Sequence, residues 1–261
     1  MPELHTEAIV LRVTPYSETS QVLRLLTPHG MRSILARGIK RPRNAFGGPA
    51  DILTVLEADI AVKRGHDPLH MLSRARQTIW FPNLRHSLTV YYGAEYLREI
   101  ALAIPTPDHD APKTFDLMLR ALAALNDGHL PVAVDARFAA AILRLHGLEP
   151  QLGHCVVSGD EVNDNTALFS HLESGLVSSK QASHAPDAVR MRPEVIDLLR
   201  RIFDTNRSEG EFRIDFWLAA FNVCTRLMEL GVGRMLRVPP LLLAEMARGV
   251  AKPAHKQAVH A

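Results

Sequence analysis

The sequence predicts an α+β protein in which a β-rich N-terminal region is followed by an all-α region. Up to Trp80, short apolar runs alternate with turn residues, whereas from Pro82 onward apolar residues recur three and four positions apart. Side chains alternate in direction along a strand, and they return to one face of a helix about every 3.6 residues. The change of period therefore predicts a domain boundary at the end of segment 1–80.

Five runs in the N-terminal region have the composition of strands. The turn Thr27-Pro28-His29-Gly30 separates the second run from the third, because proline pre-sets turn dihedrals and glycine permits them. Strands at this spacing are typical of a small barrel or a sandwich, and periodicity does not choose between the two. The predicted strands are Ala8–Val13, Gln21–Leu26, Met31–Ala36, Ile52–Val62 and Leu69–Trp80.

Five apolar stripes predict the helices of segments 81–150 and 188–248. Pro112 and Gly128 bracket the second stripe as start and stop signals, and Gly147 ends the third. We expect all five to face a core, with Cys224 behaving as a small buried hydrophobe. The stripes are Leu84, Leu88, Tyr92 and Tyr96; Phe115, Met118, Leu119, Leu122 and Leu125; Val134, Phe138, Ile142 and Leu145; Val195, Leu199 and Ile202; and Trp217, Phe221, Cys224 and Met228, the last predicted helix.

Two segments lack a clear period. Segment 151–187 is rich in Ser, Asn, Asp and Gly, and is predicted to be a small insertion between the two helical parts. Segment 249–261 is predicted to be a flexible tail.

Composition limits the classes of function. The formal net charge is only +2, so a nucleic-acid surface has to come from local clustering. Two cysteines do not form a disulfide framework, and neither a signal peptide nor an apolar run long enough for a bilayer is visible. The expectation is a cytoplasmic protein with no membrane contact.

No catalytic or cofactor motif emerges. Phosphate-binding loops, His-Glu-x-x-His and Gly-x-Ser-x-Gly are all missing from the sequence. Asp108-His109-Asp110 reads as a solvated linker, and Asp67-Pro68 between His66 and His70 predicts a turn rather than a helical metal site. The protein is therefore expected not to be an enzyme and to bind no cofactor.

One basic segment does indicate a function. Five cations fall within twelve residues that contain no acid. They share their loop, which continues beyond those twelve residues, with Gly38, Pro42, Gly47 and Gly48. Cations on a loop beside a small barrel are suited to binding phosphates, although many charge runs are simply solvated. Arg24, Arg74 and Arg76 lie on neighbouring predicted strands and extend the patch if they face the same way. The candidate DNA-binding residues are Arg32, Arg37, Lys40, Arg41 and Arg43.

Six stretches share their order and spacing with one protein family. They are residues 7–12 (Glu-Ala-Ile-Val-Leu-Arg), 16–18 (Tyr-Ser-Glu), 25–30 (Leu-Leu-Thr-Pro-His-Gly), 36–48 (Ala-Arg-Gly-Ile-Lys-Arg-Pro-Arg-Asn-Ala-Phe-Gly-Gly), 115–122 (Phe-Asp-Leu-Met-Leu-Arg-Ala-Leu) and 137–150. In these stretches the chain resembles the RecO family of bacterial recombination mediators.

The resemblance implies an N-terminal OB-fold barrel and a helical domain that carries a small zinc ribbon. It also implies binding of single- and double-stranded DNA, annealing of complementary strands, and loading of RecA together with RecR onto DNA coated by single-strand-binding protein. The C-terminal tail of single-strand-binding protein is an implied partner, and association with the nucleoid follows. The alternative is an interaction scaffold of a repair complex with only incidental DNA contact.

The chain departs from the family at the zinc ligands. Where many members have two Cys-x-x-Cys pairs, this sequence has Cys155-Val156-Val157-Ser158 and then Gly175 to Ala182, which contains no cysteine. Tetrahedral zinc needs four nitrogen or sulfur ligands. His154, His171 and His184 are near Cys155 in sequence, but at irregular spacing. A degenerate zinc ribbon without metal is therefore expected.

Overall fold

The N-terminal part of the computed structural model, which describes residues 2–65, 69–204 and 210–251, is a closed five-stranded barrel. Its strands are β1 (Glu3–Pro15), β2 (Gln21–Thr27), β3 (Gly30–Ala36), β4 (Val55–Ala61) and β5 (Leu69–Ile79). The order around the barrel is β1-β2-β3-β5-β4, and only the β3–β5 pair is parallel. This is the five-stranded OB-fold arrangement, so the barrel is confirmed and the sandwich is not.

Alternation along the strands divides the barrel residues between two cores. Leu23, Leu25 and Ile34 are completely buried in the barrel interior. Arg24, between the two leucines, and Ser33, which pairs with Arg24 on the next strand, therefore point outward. On the other side, Ile9 and Leu26 are also completely buried, but they belong to the core of the helical domain. One barrel wall is thus covered by helices, and the rest faces solvent.

The helical domain contains six α-helices within the described residues. They are α1 (Leu88–Ala103), α2 (Ala111–Asn126), α3 (Pro131–Leu145), α4 (Pro193–Phe203), α5 (Ile214–Val232) and α6 (Val238–Ala251). Most residues of the predicted stripes do lie in the core, but Leu88, at the start of α1, is 53% exposed. Cys224 is fully buried, which raises the pKa of its thiol to about 12.

The prediction that the helix containing Met228 is the last one is wrong, because α6 follows it. Pro239 and Pro240 stand in the first turn of α6, where proline needs no intrahelical donor, so they do not break the helix. The helix extends to Ala251 and overlaps the start of the predicted tail 249–261. Residues 252–261 lie outside the described part of the chain.

The insertion predicted for residues 151–187 contains a small three-stranded sheet. Strands β6 (Leu168–Ser170), β7 (Gly175–Val177) and β8 (Val189–Arg190) pair in the order β7-β6-β8, so the sheet extends slightly beyond the predicted boundary. Phe169 and Leu176 are fully buried in the main helical core. The segment is therefore an ordered part of the helical domain. Over the residues that the structure describes, no helix is both long and apolar enough to cross a membrane.

One carboxyl group, that of Asp135, is buried within the otherwise apolar core of the helical domain. Asp135 on α3 is fully buried, and neither of its oxygens has a hydrogen-bond partner in the described residues. A Cβ at Gly93 of α1 would lie 3.3 Å from Asp135 Oδ2 and 3.1 Å from Pro131 Cβ, so α1 and α3 approach closely at this point. Burial raises the pKa of Asp135 well above 3.8, because the charged form would lose its hydration.

Asp135→Asn is expected to remove a pH-dependent destabilisation. Below about pH 3.8 the carboxyl is protonated in both the folded and the unfolded chain, and it costs nothing through ionisation. As the pH rises toward the folded pKa, only the unfolded chain ionises, so the free energy of unfolding falls by up to ~1.4 kcal/mol per pH unit. Urea unfolding at pH 4 and pH 7 should show D135N gaining stability over the parent by at least ~1 kcal/mol at pH 7 only. An equal difference at both pH values would contradict this account.

Candidate nucleic-acid interface

A basic loop, residues 37–43, follows β3 at one end of the barrel. It begins with a tight turn in which the Arg41 amide donates to the Gly38 carbonyl at 2.9 Å. Gly38 has a φ of +68°, a left-handed conformation that glycine adopts without strain. A Cβ at Gly38 would lie 3.3 Å from Cδ of Arg41, so the stem of the arginine packs against the glycine.

The loop is fastened to the turn between β1 and β2. The Lys40 amide donates to the Thr19 carbonyl at 3.1 Å, and the Gly38 amide donates to Ser20 Oγ at 3.2 Å. Between them, Ile39 is buried to 1% exposure in the barrel core. The cations therefore stand on a backbone that is held at several points.

Asn44 closes the loop from the other side. Its Nδ2 donates to the carbonyls of Ile39 at 3.0 Å and Arg41 at 2.6 Å, and its Oδ1 accepts the Phe46 amide at 2.7 Å. An asparagine that satisfies backbone groups in this way fixes a turn without helix or sheet.

Four of the five predicted DNA-binding residues lie together on this loop. Arg37, Lys40, Arg41 and Arg43 are exposed, and in the described part of the chain none of them forms an ion pair. Four cations without carboxylate partners give this end of the barrel a positive potential that the small net charge conceals.

Arg32 lies apart from the other four. It stands near the start of β3, about 16 Å along the chain from Arg37 at ~3.3 Å per residue. Its guanidinium donates to the carbonyl of His29, and Nη1 lies 3.4 Å from Oδ1 of Asp108, in the linker before α2. The structure thus places Arg32 against the helical domain.

The three strand arginines differ in their surroundings. Arg74 is exposed beside the loop, with no partner in the described residues. Arg76 pairs with Glu57 at 2.6 Å, and this hydrogen bond lowers the pKa of the Glu57 carboxyl. Arg24 donates to Ser33 Oγ at 2.6 Å on the outer face of the barrel.

Sequence reasoning missed a cation next to Arg24. The register places Arg12 of β1 directly opposite Arg24 of β2, an arrangement of like charges that destabilises a sheet unless an anion lies nearby. Lys63 and Arg64 are also exposed, in the link between β4 and β5. Arg12 has no local sequence signal, because the pairing depends on a bulge between Val10 and Arg12.

A cleft of about 640 Å³ separates residues 44–50 from β5. The Ala75 amide donates to the Ala45 carbonyl at 3.3 Å and so joins the two walls at one place. A second recess of about 810 Å³, lined by residues 40–45 and 47–49, shares residues with the cleft. The cleft therefore opens onto the basic loop.

The residues at the family's zinc position do not supply four ligands. Sγ of Cys155 accepts the Ser178 amide at 3.3 Å. Burial raises the pKa of this thiol, but hydrogen bonds from the Ser158 hydroxyl and from neighbouring amides outweigh it, and the pKa is about 7. No group of three or more His, Cys, Asp or Glu in the described residues is placed to hold a metal ion. Serine at positions 158 and 178 cannot replace thiolates for zinc.

His70 and His109, the histidines of the two other clusters within the described residues, each have a polar partner. His70 accepts the Lys63 amide at 3.0 Å, whereas His66, Asp67 and Pro68 lie outside the described residues. Asp108 contacts Arg32, and His109 contacts Asp110 at 3.1 Å at the start of α2.

The family models and the similar proteins that match this chain all point to one family. Residues 1–78 match the model described as "Recombination protein O N terminal", and residues 85–237 match "Recombination protein O C terminal". A protein named DNA repair protein RecO from Rhodopirellula baltica is 30% identical over 199 residues, which cover 75% of this chain and 73% of the relative. Proteins of the same name from Anaeromyxobacter sp. strain K and Bacillus subtilis are 29% and 27% identical, over 78% and 77% of this chain and 80% and 78% of theirs. The chain belongs to the RecO family of DNA repair proteins.

Proposed function

We propose that the protein is a non-enzymatic recombination mediator. It binds single- and double-stranded DNA through the basic loop, anneals complementary strands and, together with RecR, helps to load RecA onto DNA coated by single-strand-binding protein. The main support is the set of four exposed cations, fixed at one end of an OB-fold barrel and without carboxylate partners among the described residues. DNA binding of this kind would associate the protein with the nucleoid.

Annealing needs no reacting side chain. Two strands repel each other through their phosphates, and a protein that neutralises these charges while leaving base edges accessible speeds their pairing. Arg37, Lys40 and Arg41 are suited to this neutralisation, since they are exposed to solvent and contact no acid in the described part of the chain.

Replacing Arg37, Lys40 and Arg41 together by alanine should weaken single-strand binding and flatten its salt dependence. Each lost phosphate contact reduces the slope of log K against log salt by ~0.7, so three contacts give a change of ~2. Fluorescence anisotropy from 50 to 300 mM salt would measure it.

A matched control replaces Arg201, Arg213 and Arg248, which pair with Asp197, Asp215 and Glu245 at 2.9, 3.0 and 3.0 Å. It removes the same charge but should leave the slope unchanged. Equal slopes for the parent and the loop variant would remove the basic loop from the mechanism and favour the scaffold alternative.

Strand annealing should proceed without nucleotide and in the presence of a metal chelator. Complementary labelled oligonucleotides should pair several-fold faster with the protein than without it, both bare and coated by single-strand-binding protein, and remain full length on a denaturing gel. Strand cleavage or a nucleotide requirement would contradict the non-enzymatic mechanism.

A groove between α2 and α3 supports the proposed partner tail. Its apolar part, about 340 Å³, is lined by Ala121, Ala124 and Phe138, among others. An adjoining charged part, about 500 Å³, is lined by three cations and two carboxylates, and it shares Leu117 and Arg120 with the first. The charged residues are Lys113, Arg120, Arg144, Asp110 and Asp116, so the cations are in excess by one. A short acidic peptide that ends in apolar side chains complements a groove of this kind, and the C-terminal tail of single-strand-binding protein is the proposed occupant.

Arg120→Glu and Ala124→Phe should each reduce the affinity for a labelled tail peptide by about tenfold or more, the first by reversing a charge and the second by filling the apolar part. Arg248→Glu is the control, because Arg120 and Arg248 are both exposed and paired one turn away, with Asp116 and Glu245. DNA binding should not change. Undiminished peptide binding by both groove variants would place the tail elsewhere.

A further inference from the structure

The cleft between residues 44–50 and β5 has an apolar floor inside a cationic rim. Ile39, Leu56 and Ala75 lie on the floor at 1%, 5% and 5% exposure. Phe46 is half-buried, with its ring packed on the barrel core and lining the cleft. A surface that binds only phosphates has no need of such a floor, since phosphates interact with cations and amide groups.

The rim offers two kinds of polar group to a ligand. Arg74 lines the cleft from β5, and the exposed cations of the basic loop border the recess that joins it. Gln77 also lines the cleft, and its carboxamide has no hydrogen-bond partner in the described residues. Cations complement phosphates, whereas a free carboxamide both donates to and accepts from the edge of a base.

Two glycines next to Phe46 leave part of the wall formed by residues 44–50 without side chains. Gly47 and Gly48 have φ values of +72° and +129°, and a Cβ added to either would meet nothing within 4 Å. These two positions therefore leave space beside Phe46 open to a ligand.

We propose that this cleft takes an unstacked nucleobase of a single DNA strand, with the base against Phe46, its edge near Gln77, and the flanking phosphates on Arg74 and the basic loop. The inference rests on the proposed DNA binding and deepens it: the barrel reads the strand through bases as well as charge. Paired bases of a duplex are stacked inside the helix and cannot enter the cleft, so this contribution belongs to single strands alone.

The decisive test changes the DNA instead of the protein. A labelled oligothymidine and the same strand with abasic sites in place of its bases carry equal numbers of phosphates. The abasic strand should bind about tenfold more weakly, because stacking on an aromatic side chain is lost, while the slope of log K against log salt stays the same. Equal affinities would overturn the proposal.

Protein variants locate the effect. Phe46→Ala should weaken oligothymidine binding to near the abasic level and leave duplex binding unchanged. Arg74→Ala should reduce the salt slope by ~0.7 for single strands, whereas Arg213→Ala, a matched control outside the cleft whose charge is neutralised by Asp215 at 3.0 Å, should not. If Phe46→Ala fails to fold by circular dichroism, the abasic comparison on the parent protein still decides.

The outcomes also distinguish a failure of the base cleft from a failure of DNA binding by the basic loop. Salt-dependent binding that is equal for normal and abasic strands keeps DNA binding by the basic loop and removes the base cleft. An absence of salt-dependent binding to any strand removes both.

Discussion

The arrangement of this protein depends on the two-sided burial of the barrel strands. Ala8 and Val10 fill the barrel, while Ile9, between them, is fully buried in the helical core. A strand buried on both faces is fixed in register, because a slip by one residue would exchange the two sets of side chains. The same packing covers one wall with helices and leaves the end bearing residues 37–43 open to solvent.

The positive charge of this protein is concentrated in one region, although the net charge is small. On the exposed surface outside the basic loop, most arginines have an acidic neighbour, as Arg76 has Glu57 and Arg120 has Asp116. The cations of the basic loop lack such neighbours in the described residues, so a chain with a net charge of only +2 still presents one strongly positive region.

Sequence patterns predicted the two-part organisation, the strands and the core-facing helical stripes, because local periodicity determines them. They could not separate a barrel from a sandwich, since that depends on the parallel β3–β5 pair and on the closure of β4 on β1. The α6 helix was missed because Pro239 and Pro240 look like helix breakers when their place in the first turn is unknown. The basic segment was recognised from composition, whereas the separate location of Arg32, the Arg12–Arg24 pair and the cleft over Phe46 arise from tertiary contacts.

Asn44 has a further consequence for the proposed binding and release of DNA. All three of its contacts lie within the stretch from Ile39 to Phe46, so this side chain adds to the contacts that fix the shape of the loop before any ligand binds. Little conformational entropy is then lost on contact, and release requires no refolding of the surface. In the proposed annealing, a rigid, reusable surface of this kind would let a strand shift along the barrel while it searches for the alignment with its complement.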